Sequence, residues 1–127
     1  MNDDILYKLI NKLIEDTKTR KIKWVKSEMT GRYFQMNDSI QTTEFNTTIT
    51  EIGNIYIGKN DFSDKMKLYI TEKTTEELSY FTGIIDYNSN YYIELLRLYN
   101  LIESSYIKIE TRNRIERAID AYIHRID

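Results

Sequence analysis

A chain of 127 residues with 41% hydrophobic and 30% charged content is long enough for one packed domain and too apolar to stay unfolded. Its net charge of −2 excludes a global attraction to duplex nucleic acid or to an anionic membrane, so any anion site must come from local clustering of Arg and Lys. The absence of cysteine excludes disulfides, thiolate nucleophiles, thiolate zinc sites and iron–sulfur clusters, and with a single histidine no metal centre and no cofactor is expected.

The first predicted element is a helix over residues 3–17. Ile5, Leu6, Leu9, Ile10, Leu13 and Ile14 recur on one stripe. Asn2 or Asp3 caps its start, two acids suit the positive end of its dipole, and Lys18, Arg20 and Lys21 suit the other end. The acidic start lacks the basic flank and apolar run of a signal peptide, and no run reaches the roughly 20 apolar residues of a membrane span. A cytoplasmic location without membrane contact is the expectation.

Residues 21–26 alternate, with Ile22 and Trp24 on the core side, and read as a strand. Residues 27–43 are polar and irregular. Within them residues 32–36 read either as a short edge strand or as part of a functional loop. Phe45, Thr47 and Ile49 alternate with Asn46, Thr48 and Thr50, and Gly53-Asn54 has the chemistry of a two-residue hairpin turn before Ile55, Tyr56 and Ile57. Met66, Leu68 and Ile70 mark a further strand, and residues 78–85 a last one.

After a loop over residues 86–90, two helices are predicted. The first covers residues 90–104, with Tyr92, Leu95, Leu96, Leu98, Tyr99 and Ile102 on a wide apolar arc. Ile93 and Leu101 fall inside its polar lane, which is more apolar surface than a monomer needs and implies a homo-oligomer built through the C-terminal helices. The second covers residues 111–126, with Ile115, Ile119, Tyr122, Ile123 and Ile126 as its apolar face. The fold class is therefore α+β: one domain over residues 1–127, with an N-terminal helix, a four- to five-stranded antiparallel meander and two C-terminal helices packed on one face of the sheet.

No phosphate-binding glycine loop, dinucleotide fingerprint, nucleophile elbow or zinc-protease motif is present. Binding without catalysis is the expectation, and three places offer it. Arg114, Arg117 and Arg125 fall within about 80° around the last helix, with Ala118 and Ala121 leaving room for a phosphate or carboxylate; Arg112 joins from the side. A solvated face paired to Glu116 and Asp120 is the plainer reading of that lane. Arg32, Tyr33 and Phe34 lie among Met29 and Met36, a mixture favoured at binding surfaces, where an aromatic can stack on a base; folding back onto the core is the alternative. Tyr91, among Tyr87 and Tyr92 at a helix start, can border an anion or a ring, or simply half-bury beside a capped helix. Asp61 and Asp64 read as a turn, His124 as exposed.

The opening amphipathic helix, the Lys21-Ile22-Lys23-Trp24 strand, the meander and the closing helices resemble small α+β proteins of low-G+C bacteria and their phages, phage counter-defence proteins among them. That resemblance implies a non-enzymatic binding protein of phage or mobile-element type that captures an anionic nucleotide-like signalling molecule in the host cytoplasm. The alternative is an inhibitor or toxin-immunity protein acting on a basic protein partner.

Overall fold

The computed structural model describes residues 3–27, 42–72 and 85–126, and the backbone alone of 78–81. Helix α1 (Asp3–Lys18) buries Leu6, Ile10, Leu13 and Ile14, the stripe that its apolar spacing dictates. Five strands follow in sequence order: β1 (Val25–Lys26), β2 (Thr42–Ile49), β3 (Gly53–Asn60), β4 (Met66–Glu72) and β5 (Leu78–Phe81). Each pairs antiparallel with the next, so the sheet is a meander. Helix α2 (Tyr92–Ile123) closes the chain.

Register decides which side chains meet. Phe45 stands opposite Ile57, and Ile57 opposite Leu68, so one face of β2, β3 and β4 presents an apolar row. This face receives both helices. Phe45 makes edge contacts with Tyr99 and Tyr106 at 5.8 and 5.6 Å between centroids. Together with Leu6, Ile10, Leu95, Leu98 and Ile102 these residues form the core. Each fully buried aliphatic side chain there contributes about 1.5–3 kcal/mol by leaving water.

Four expectations are corrected. The chain does not turn at Gly53-Asn54, because Gly53 already pairs with Ile49. The turn lies three residues earlier, where the Ile52 amide donates to the Ile49 carbonyl, and Gly53 serves the ladder with a φ of 137°, which favours glycine. The strand read over residues 21–26 shrinks to its last two positions. The two C-terminal helices are one helix of 32 residues. The segment between them, Ser105 to Glu110, contains neither glycine nor proline, so nothing interrupts the backbone hydrogen bonds.

Finally, only the first half of α2 packs on the sheet. From Ile107 to Ile126 every residue is exposed except Thr111, which is half-buried. The expected apolar face is there but uncovered: Ile115 is 55% exposed and Ile126 95%. No helix among the described residues is long and apolar enough to cross a membrane.

Candidate functional site

The chain leaves α1 through a Schellman turn. The Lys21 amide donates to the Asp16 carbonyl at 2.8 Å and the Arg20 amide to the Thr17 carbonyl at 3.2 Å. Such a turn needs one residue in the left-handed region, normally glycine. Here it is Arg20, with a φ of 61°. The turn leads residues 20–24 to the middle of α2, where Leu101 to Arg112 face them across a cleft. Trp24 is anchored there by its indole N–H, which donates to Thr17 Oγ1 at 3.0 Å.

Between residues 20–24 and α2 lies a cleft of about 660 Å³, within the range that holds small organic ligands. Its floor is apolar, made by Ile22, Trp24, Leu101, Ile102, Tyr106 and Ile109. Its rim is cationic: Lys18, Arg20 and Lys23 on one side, Lys108 and Arg112 on the other. Thr17 and Ser105 add hydroxyls, and no carboxylate is among the described lining residues. Arg112 donates to Glu116 at 3.2 Å, but both side chains are mostly exposed, so this pair holds the guanidinium only weakly. Cations unbalanced by acids repel one another at short range, and a bound anion relieves that repulsion.

Of the described residues that the sequence singled out for a site, the structure brings Arg112 alone to this cleft. Arg114 and Arg117 lie on the projecting half of α2, and Arg125 follows its last residue, Ile123. Arg114 donates to Thr111 Oγ1 at 3.3 Å, and the Arg125 guanidinium lies 5.4 Å from the centre of the Tyr122 ring. Arg117 borders a shallow depression with Asn113, Glu116 and Asp120, so its surroundings are of mixed charge. Arg114 and Arg117 belong to one helix, and none of the three arginines lines the cleft.

Tyr91 sits at the N-cap of α2, half-buried, with no side-chain cap. Its ring meets Tyr7 edge-on at 6.5 Å. Next to it, the Asn90 side chain donates to Asp3 Oδ2 at 2.9 Å and the Tyr7 hydroxyl to the Asn90 carbonyl. The tyrosines therefore lock the starts of the two helices together. Arg32, Tyr33 and Phe34 lie outside the described residues. Asp61 is in a turn, where its carboxylate accepts from Thr43 Oγ1 at 2.7 Å, and His124 is exposed at the end of α2.

A second cluster was not anticipated. On the sheet face opposite the helices, Glu44 and Lys67 are 3% and 1% exposed. Both register on Gly58, which places no side chain between them. The Tyr69 hydroxyl donates to the Glu44 carboxylate, and the Tyr69 ring stacks on Tyr56 at 4.5 Å. Burial pushes the Lys67 ammonium below its ordinary value. The Tyr69–Glu44 hydrogen bond ties β4 to β2 across β3, a contact of the kind that specifies strand register. Among the described residues no group of three or more His, Asp and Glu side chains is arranged to hold a metal ion.

No protein-family model matches the chain, and neither the curated proteins nor the solved structures compared with it gave a match.

Proposed function

We propose that this protein is a non-enzymatic binding protein whose cleft beside α2 captures a small anionic ligand bearing an aromatic ring, of nucleotide type. One observation carries the reading: an apolar floor containing Trp24 and Tyr106 under a rim of Lys18, Arg20, Lys23, Lys108 and Arg112, with no carboxylate among its described lining residues. An aromatic floor accepts the flat face of a base. Guanidinium and ammonium groups accept phosphate, the former in a bidentate fork.

The strained conformation of Arg20 supports the same reading. A left-handed arginine costs about 1–2 kcal/mol relative to glycine, and it keeps a cation at the rim. A chain that sequesters a cyclic nucleotide signal in this way would serve a phage or mobile element in counter-defence.

The test is calorimetric titration with a panel of nucleoside mono- and diphosphates, cyclic mononucleotides and cyclic dinucleotides. Binding of at least one, weakened by raising the salt concentration, is the expected result. A ligand at a hundredfold excess over its Kd raises stability by about 2.7 kcal/mol, so a thermal melt reports the same event. Absence of heat and of a melting shift across the panel overturns the proposal.

A further inference from the structure

The cleft is polarised along its length. Helices α1 and α2 run parallel: Asp3 and Tyr7 bond to Asn90 at one end, and Thr17 and Lys18 share the cleft with Leu101 to Arg112 at the other. Both walls change character in the same direction. Along α2 the lining runs from Leu101, Ile102 and Tyr106 to Lys108 and Arg112. On the facing wall Thr17, which holds the Trp24 indole, is followed by Lys18 and Arg20. Lys23, beside Trp24 in the chain, is the rim cation outside this order.

Burial follows the same gradient. Ile102 is 2% exposed, and the Tyr106 ring packs on Phe45 at 5.6 Å. Lys18, Arg20, Lys108 and Arg112 are all exposed. The apolar end therefore lies against the core and the cationic end at the mouth.

We infer that the cleft takes a single mononucleotide, with its base inward against Trp24 and Tyr106 and its phosphates outward between Arg20 and Arg112. This rests on the reading of the cleft as a nucleotide site and fixes the ligand class within it. A flat base gains from leaving water only where the lining is apolar, and that lining is at one end. A dinucleotide carries bases on both sides of its phosphates. Its second base would lie among exposed cations, where the described lining residues offer no aromatic ring to stack on.

The charges agree with this orientation. The end of a helix repels anions through its free carbonyls. Here the Asp16 and Thr17 carbonyls are occupied by the Lys21 and Arg20 amides, so the end of α1 presents cations instead. Arg112 donates to Glu116 through Nε, which leaves its Nη groups to a phosphate fork. One terminal phosphate carries about 1.5–2 negative charges at pH 7. Lys18, Arg20, Lys108 and Arg112 together exceed that charge, so a second phosphate on the same chain adds affinity.

The experiment is titration of the full chain, by calorimetry and by Trp24 emission, with the 5′-mono-, 5′-di- and cyclic monophosphates of adenosine, guanosine, cytidine and uridine, and with the matching cyclic dinucleotides. For the preferred base the diphosphate binds about 10-fold tighter than the 5′-monophosphate, the gain of one charge-assisted hydrogen bond. The cyclic dinucleotide binds no tighter than the 5′-monophosphate. Arg112→Gln, at a side chain 80% exposed, melts like the wild type and abolishes the diphosphate preference, while the 5′-monophosphate binds as before. A diphosphate no tighter than the monophosphate, a cyclic dinucleotide tighter than every mononucleotide of its base, or a diphosphate preference that survives in Arg112→Gln overturns this orientation and leaves the nucleotide reading of the cleft standing. A blank across the whole panel overturns both.

Discussion

Trp24 Nε1 donates to Thr17 Oγ1 at 3.0 Å, and Thr17 Oγ1 donates in turn to the Leu13 carbonyl at 2.6 Å. This short relay fixes the floor of the cleft to the last turn of α1. Thr17→Val removes it without changing side-chain volume much. The expected loss is about 1–2 kcal/mol, because the half-buried indole N–H loses its partner. Emission of Trp24, the only tryptophan, shifts as the ring gains freedom. Urea denaturation and fluorescence check both, and an unchanged midpoint and spectrum contradict the relay.

Arg20 predicts a trade between stability and binding. Arg20→Gly relieves the left-handed strain at φ 61° and raises stability by about 1 kcal/mol. The same change removes a cation from the rim and lowers ligand affinity. A melt and a titration on one variant test the two together. A variant that is less stable, or that binds as tightly as the wild type, contradicts this role.

The Tyr69–Glu44 hydrogen bond lies on the sheet face away from the helices, with Tyr69 fully buried and Glu44 3% exposed. Tyr69→Phe keeps the stack on Tyr56 but leaves the carboxylate short of a donor. Denaturation should show a loss of about 1–3 kcal/mol, with ligand affinity unchanged because the cluster is remote from the cleft. Equal loss of affinity and stability contradicts the separation of the two sites.

Tyr99 gives a pH prediction. Burial, and then its hydrogen bond to Glu103 at 2.9 Å, raise its pKa above the ordinary 10.0. The native state therefore keeps this proton where the unfolded chain has lost it. The stabilisation is complete below pH 10 and falls as pH rises above it. Tyr92, raised chiefly by burial, acts in the same direction. Melting temperatures between pH 8 and 12 should decline more gently in Tyr99→Phe than in the wild type. A parallel decline contradicts the assignment.

What the sequence made legible was what local periodicity controls. Helix α1, the β2–β3–β4 meander and the alternation of Met66, Leu68 and Ile70 follow from side-chain spacing alone. The continuity of α2 does not. Its inner half centres its apolar arc on Leu95, Leu98, Tyr99 and Ile102, and its outer half on Ile115, Ile119 and Tyr122. The two arcs differ by about 140° around the axis. One helix with two differently placed apolar arcs reads locally as two helices.

The cleft was less legible still. It joins Lys18, Arg20, Lys23 and Trp24 to residues some eighty positions later, and only packing brings them together. Lys18 and Arg20 look like ordinary helix-end cations, and Lys23 like the wet face of a strand. The signal that was available is the density of cations flanking the tryptophan. Arg114, Arg117 and Arg125 are close in sequence, which makes them legible as a lane. Closeness on one helix face does not build a pocket.

Titration of Trp24 fluorescence with the tightest ligand of the nucleotide panel tests most directly whether the cleft floored by Trp24 holds the ligand. Saturable quenching with the calorimetric Kd is expected, together with loss of both signals in a Lys23→Ala, Lys108→Ala double variant that melts like the wild type. Heat of binding that persists in that variant, or that leaves the Trp24 emission untouched, would place the ligand elsewhere and contradict the account.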